Sequence, residues 1–342
     1  MRRILLYFIL LLAGSRPLYA QKVLSIKLET TINPASADFI HRAIEEAQKE
    51  RATCILIHLN TPGGLLKSTR FIVSDILESP VPVVVYVSPG GAHAGSAGVF
   101  ITMAAHIAAM APGTNIGAAH PVNTQGQMDS IMSAKATNDA TAVIKSIAAK
   151  RGRNAEWGAH AVRNSVSLTE AEALENNVIN LVAASELELL IKIDGQQVTV
   201  STGAVAIRTK NATVHSLEMG WGEKMLNTLS DPNVAYILFL LGLYGLLFEL
   251  YSPGVIFPGI IGGICIILAL YAMHTLPVNY AGLALIVFGV VLFLLEIKIV
   301  SHGLLGIGGV ISLLIGSMML IRTDESWHVA SLSLTVIITA VT

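Results

Sequence analysis

Charge is what this chain has least of. Asp, Glu, Lys and Arg make up only 13% of its 342 residues, against roughly 25% in an ordinary soluble protein. The mean hydropathy of +0.64 is too apolar for a cytosolic enzyme, so disordered, coiled-coil and fully soluble classes are excluded. A basic run is missing as well. With a net charge of -1 there is no electrostatic footprint for nucleic acid, and that class is dropped. Cysteine is nearly absent: Cys54 and Cys265 cannot by themselves build a disulfide framework or a metal site. No glycine-rich loop is followed by the Gly-Lys-Ser/Thr of a P-loop, and none fits a dinucleotide fingerprint. Neither a metal nor a cofactor is expected.

The apolar excess is concentrated at the two ends. From Asn233 onward the only charged residues are Glu249, Glu296, Lys298, Arg322, Asp324 and Glu325. Four apolar stretches, near 233–251, 255–276, 280–297 and 304–321, each approach the ~20 residues that cross a bilayer. A fifth begins at Val329 and is still apolar at Thr342, so Thr342 is expected to fall short of the natural end. Within this region Phe248-Glu249-Leu250 and Gly262-Gly263 resemble Leu295-Glu296-Ile297 and Gly308-Gly309 at an offset of about 47. A duplicated helical hairpin would explain this, as would the glycine usage of closely packed membrane helices. At the other end Met1-Arg2-Arg3, the apolar run Ile4 to Ala13 and the small Ala20 read as a signal peptide over residues 1–20. The domain that follows is therefore expected on the exported side of a multi-pass membrane protein.

Between these ends, Val23 to about Val182 alternates strand-like with helix-like stretches, an α/β pattern. Asn33-Pro34 supplies a cap and a first-turn proline for a helix to about Lys49. Cys54 to Leu59 and Val81 to Val87 are nearly continuous apolar runs, suited to central strands covered on both faces. Thr169 to Glu172 reads as a capping box, followed by a strand from Val178 to Val182. The expected domains are 21–194 for the α/β unit, 195–232 for a small β appendage and linker, and 233–342 for membrane helices.

Three glycine-rich segments fall at predicted strand ends, where an α/β sheet places its site: Asn60 to Gly64, Pro89 to Gly98, and Ala111 to Pro121. The hydrolase elbow G-x-S-x-G is incomplete, since Ala94 stands at its first glycine. What remains is Ser96 between Gly95 and Gly98 at a strand-to-helix turn. Its hydroxyl would meet the positive end of a helix, with the Ala97 N–H and the Gly64 N–H as oxyanion donors. A helix N-cap serine explains the same motif. Two downstream residues can serve as base. His120 follows the third segment, and otherwise is a loop histidine before Pro121. Lys135 opens an Ala-rich stretch; in a first helical turn, and buried, its amine would favour the neutral form a base needs. In solvent it is an ordinary surface lysine.

Asn60-Thr61-Pro62-Gly63-Gly64, Ala94-Gly95-Ser96-Ala97-Gly98, Met110 to Gly117 and Ser167 to Leu174 occur in one order. This ordered set resembles the long form of the membrane-bound NfeD family of ClpP-class serine proteases, over nearly the whole chain. The resemblance implies an α/β ClpP/crotonase-like domain followed by an α-helical multi-span membrane domain, then a soluble OB-type domain that this sequence lacks. It further implies Ser96 as nucleophile, Lys135 as general base, and Gly64 and Ala97 as oxyanion donors. His120 falls near the histidine of the soluble ClpP triad and stays the alternative base; no third-member acid is found. The expected partners are a lipid bilayer, a stomatin-like (SPFH/prohibitin-type) membrane protein as substrate or partner, and further copies of the chain in a homo-oligomer. The expected activity is a membrane-anchored serine endopeptidase with a Ser-Lys dyad, cleaving apolar segments, with Asn123 to Ser133 as a flap. Its rivals are a Ser-His protease, a non-catalytic scaffold for a stomatin-like protein, and a crotonase-type acyl-CoA enzyme, which export argues against.

Overall fold

The computed structural model describes residues 21–122, 129–251, 256–275, 279–299 and 303–320. The signal segment, the start of the expected flap at 123–128 and the fifth apolar stretch lie outside the described residues.

Six parallel strands form the main sheet, in the order β11 (Thr213–Ser216), β1 (Lys22–Glu29), β2 (Cys54–Asn60), β3 (Val83–Val87), β5 (Ile107–Met110) and β8 (Leu181–Val182). The continuous apolar runs divide by alternation. Ile55, Ile57, Leu59, Val83, Val85 and Val87 face one core, with helices α1 (Pro34–Lys49), α2 (Leu66–Glu78) and α3 (Ala97–Ala104). Cys54, Leu56, Val84 and Tyr86 face a second, smaller core. Both faces of the central strands are thus covered, as such runs require.

The helix boundaries follow local chemistry. Asn33 Oδ1 caps α1 by accepting from the Ser36 N–H at 2.9 Å, and the Ser36 Oγ accepts in turn from the Asn33 N–H at 2.9 Å. Thr169 and Glu172 form the expected capping box at α6 (Glu170–Glu175). The strand expected over Val178 to Val182 is shorter, only Leu181–Val182, and pairs with the end of β5. Between α3 and α6 run α4 (Ser130–Arg151) and α5 (Ala155–Asn164); α7 (Glu186–Ile193) closes the second core. The two polar strands of the appendage are a hairpin, β9 (Gln197–Val200) with β10 (Gly203–Ala206). The strand β11 after them joins the main sheet beside β1.

A second, three-stranded sheet sits at the carboxyl end of the main one. Its β4 (His93–Gly95) pairs parallel with β6 (Asn115–Gly117), which pairs antiparallel with β7 (Ser167–Thr169). Isolated bridges Thr61↔Ala94 and Ile32↔Gly64 tie the loops after β2 and β1 into this row. It gathers the glycine-rich segments into one place.

After β11 the chain forms α8 (Trp221–Leu229), then α9 (Pro232–Tyr251), α10 (Ile256–Thr275), α11 (Tyr280–Lys298) and α12 (Leu304–Leu320). The last four coincide with the four apolar stretches. Among the described residues no single helix is long and apolar enough to cross a membrane by itself; α8 and α9 together, bent by 81°, meet the length and composition. Helices α9 and α10 pack as one hairpin and α11 and α12 as another. Both close on glycine: a Cβ on Gly242 would lie 2.9 Å from the Gly262 carbonyl, and one on Gly289 would lie 2.9 Å from the Gly309 carbonyl. These pairs stand 47 residues apart, as do Glu249, packed against Gly259, and Glu296, whose carboxylate accepts from the Gly303 and Gly306 N–H groups at 2.9 and 3.1 Å. A constant spacing of this kind is what duplication of one hairpin would produce.

Candidate active site

Ser96 stands where β4 turns into α3. Its backbone, at φ 47° and ψ -104°, occupies a region that costs a non-glycine residue of order 1–3 kcal/mol. Surrounding bonds hold it there: Gly95 N–H donates to the Thr61 carbonyl at 2.9 Å, Ser96 N–H to the Gly117 carbonyl at 3.1 Å, and Thr61 N–H to the His93 carbonyl at 2.8 Å. The Ser96 hydroxyl makes no capping bond to α3. The ordinary explanation for a serine at this position therefore does not apply, and the hydroxyl of the partly buried Ser96 stands uncommitted at a helix N-terminus among the described residues.

The Gly63-Gly64 turn lies directly against it. A Cβ on Gly63 would sit 2.6 Å from the Ser96 Cβ, 3.1 Å from its Oγ and 3.5 Å from the Ala97 nitrogen, and Gly63 has φ 125°. Only glycine allows that approach. At Gly64 a Cβ would run into the Ile32 backbone. Ile32 N–H donates to the Gly63 carbonyl at 2.7 Å, and the Ile32 carbonyl accepts from Leu65 N–H at 2.8 Å. This pairing turns the Gly64 N–H away from Ile32. Among the described residues neither the Gly64 N–H nor the Ala97 N–H has an acceptor. Two unengaged amides beside an unengaged hydroxyl suit a developing oxyanion.

The base candidates are less close to this centre. His120 is half-buried, and its Nδ1 lies 2.9 Å from the Val162 carbonyl. A carbonyl only accepts, so Nδ1 carries the proton and Nε2 keeps the lone pair. Lys135 falls in the second turn of α4, because that helix begins at Ser130. The expectation of a buried first-turn lysine beside the positive helix end is corrected accordingly: the dipole acts within the first turn, and Lys135 is exposed, across the helix from the buried Ile144. No hydrogen bond or ion pair joins Lys135 or His120 to Ser96 among the described residues. The same helix start takes in Ser130 to Ser133, so the end of the expected flap is helical.

Three contributors carry weaker sequence signals. Gly63, rather than Gly64, makes the close approach to Ser96, and only the adjacent pair of glycines hints at it. The His93 ring is anchored to the Asn115 Oδ1 at 2.9 Å and lies against Gly95. An apolar cleft lined by Leu66, Val73, Phe100, Ala140 and Val143 opens between α2, α3 and α4, with Arg70 at its rim paired to Asp139. Phe100 is one helical turn from Ser96. Cys54 offers no rival nucleophile: burial pushes its thiol up to about 12. Among the described residues no cluster of three His, Cys, Asp or Glu side chains is placed to hold a metal.

Residues 22–213 match the family model described as NfeD1b, N-terminal domain, and residues 233–342 match the NfeD integral membrane domain. The membrane-bound protease PH1510 of Pyrococcus horikoshii is 36% identical over 334 residues, covering 96% of this chain and 76% of that one. Membrane protein NfeD1b of Bacillus subtilis is 31% identical over 295 residues, 85% of this chain and 66% of that one. Two solved structures resemble the α/β domain. A lysine-to-alanine mutant of 1510-N, a membrane-bound stomatin-specific protease, in complex with a substrate peptide superposes with TM-score 0.57 at 34% identity, covering 61% of this chain and 98% of that one. A serine-to-alanine mutant of the same protease gives 0.55 at 36%, covering 58% and 99%. This chain is a member of the NfeD family, carrying an NfeD1b-type N-terminal domain of α/β fold ahead of an NfeD integral membrane domain.

Proposed function

We propose that this protein is a membrane-anchored serine endopeptidase. The observation that carries the reading is Ser96 itself, held at φ 47° with a hydroxyl that caps nothing. In this reading the Ser96 Oγ attacks the scissile carbonyl carbon and its proton passes to the base. The carbonyl oxygen becomes the oxyanion and takes the Gly64 and Ala97 N–H groups. The base then protonates the leaving amine, and water, deprotonated by the same base, releases the acyl group from Ser96. Lys135, exposed on α4, is the base in this reading and has to turn toward Ser96 when substrate binds; Ala140 and Val143 of the same helix line the cleft beside Phe100. The substrate is an apolar segment of a stomatin-like membrane protein, which the apolar side chains around Phe100 suit. Further support comes from PH1510, a relative over nearly the whole chain whose N-terminal protease is described as stomatin-specific. The α/β domain lies on the exported side, four helices span the membrane, and the chain assembles with its own copies.

His120 as base is the second reading, favoured by the bond that holds its ring to Val162 and leaves Nε2 without a partner among the described residues. The deciding experiment is fluorophosphonate labelling of the detergent-solubilised protein with the adduct mapped. Label on Ser96, lost together with peptide cleavage in Ser96→Ala, supports the peptidase. An unlabelled protein that still binds a stomatin-like partner supports a scaffold instead.

A further inference from the structure

We propose that α8, the helix immediately before the membrane helices, braces the oxyanion turn, and that Asn227 is a positioning residue for it. The proposal rests on Gly64 acting as an oxyanion donor. Asn227 Oδ1 accepts from the Thr30 hydroxyl at 3.0 Å and from Asn33 Nδ2 at 2.9 Å. The amide of Asn33 has only one usable orientation, since its Oδ1 already accepts from the Ser36 N–H at 2.9 Å. Between Thr30 and Asn33 lies the fully buried Ile32, whose N–H and carbonyl bond Gly63 and Leu65 at 2.7 and 2.8 Å. Asn227 of α8 thus reaches, through one short segment, the backbone on either side of Gly64, and Gly63 abuts Ser96. A separate residue, Glu223, locks α8 onto α1: Arg42 Nε and Nη2 donate to its two carboxylate oxygens at 2.8 and 2.6 Å.

The other side of α8 faces the membrane helices. Leu229 is buried with Ala235 of α9 and Ala272 of α10, and the chain bends by 81° from α8 into α9. One short helix therefore touches both the membrane domain and the segment that sets Gly64. Simple docking of α8 would be served by the Arg42–Glu223 pair and by apolar contact. A half-buried amide satisfied by two donors from the 30–33 segment fixes that segment's position as well.

The test uses the full chain in detergent. In Asn227→Leu both donors lose their acceptor, and amide exchange of Ile32 and Leu65 is expected to quicken about tenfold or more. With an apolar model peptide, kcat should fall about tenfold while KM stays within about threefold, the pattern of a lost transition-state contact. Asn227→Asp keeps an oxygen for Thr30 and Asn33 and should restore both readouts. Should Asn227→Leu not fold, Thr30→Val removes one bond and should shift both readouts in the same direction by less. Unchanged exchange at Ile32 and Leu65 overturns the brace. Faster exchange with unchanged kcat overturns the positioning role. If the wild type neither cleaves nor labels, the peptidase reading fails, while the exchange result still decides whether α8 holds the turn.

Discussion

Gly63 and Ser96 are set so close that neither position tolerates a different backbone. Replacing Gly63 with Ala forces a Cβ to 2.6 Å from that of Ser96 at φ 125°, so stability should drop by about 1–3 kcal/mol and fluorophosphonate labelling should be lost. Gly113→Ala is the control, because φ there is 76° but nothing lies within 4 Å: it should lose some stability and keep its label. Thermal unfolding and labelling of both variants check this, and equal labelling would remove Gly63 from the site. The base has its own test. A lysine must be neutral to take the serine proton, so kcat/KM should rise on an alkaline limb that disappears in Lys135→Ala. A limb near the ordinary histidine value of about 6.5, lost in His120→Ala, would transfer the role. The place of Ser96 at a strand-to-helix turn was legible from the glycines and small residues around it. Lys135's setting was not, because the start of α4 at Ser130 has no side-chain cap to mark it.

At the scale of elements, the helix that carries Ser96 at its start is held at its end by guanidinium groups. Arg153 Nη1 donates to the Met103 and Ala105 carbonyls at 2.5 and 2.8 Å, and Arg151 Nε to the Ala104 carbonyl at 2.7 Å. These are the carbonyls a helix C-terminus leaves open. Beside them His106, only 7% exposed, accepts the Val83 N–H on Nδ1 at 3.1 Å. Burial first, then the charges of Arg151, Arg153 and Lys150, pull its pKa from 6.5 to about 3. Its Nε2 lies 3.3 Å from Arg151 Nη2, so both ring nitrogens face N–H donors and a second proton has no acceptor there. Unfolded chains take up this proton below about 6.5 while the folded one resists it, so its contribution to stability is complete above that pH and is lost as pH falls toward 3. The slope is at most about 1.4 kcal/mol per pH unit. Melting temperature should therefore decline more steeply between pH 6.5 and 4 in the wild type than in His106→Asn, whose Oδ1 can keep the Val83 bond; parallel profiles would refute the assignment. Elements with strong local signals, such as α1 behind Asn33-Pro34 and the apolar β2 and β3, could be read directly. The three-residue strands β4, β6 and β7, and the docking of α8 on α1 across nearly 200 positions, leave no local pattern.

Across the whole molecule, the two membrane hairpins impose a common geometry. Tyr236 of α9 donates its hydroxyl to Ser317 of α12 at 2.6 Å, and the apolar cluster around Tyr236, Phe239, Met273, Ile286 and Leu313 draws on all four helices. The outward faces are apolar too, with Ile260, Ile267, Phe288 and Ile307 all more than half exposed, a surface suited to lipid rather than water. If the hairpins are repeats of one unit, matched substitutions should hurt equally. Gly262→Leu and Gly309→Leu each push a side chain into the facing glycine backbone, which lies 2.8 and 3.1 Å from the respective Cβ positions, so both should lower the melting temperature of the detergent-solubilised protein by similar amounts. Gly263→Leu meets nothing within 4 Å and should leave it nearly unchanged. If both hairpins cross the membrane as proposed, they return the chain to the side from which it entered. Single cysteines near residue 254 and at residue 298 should then be labelled from one side of the membrane, and cysteines at residue 231 and near residue 279 from the other. A residue 298 that reacts on the same side as residue 231 would show that the second pair of helices does not cross as a hairpin.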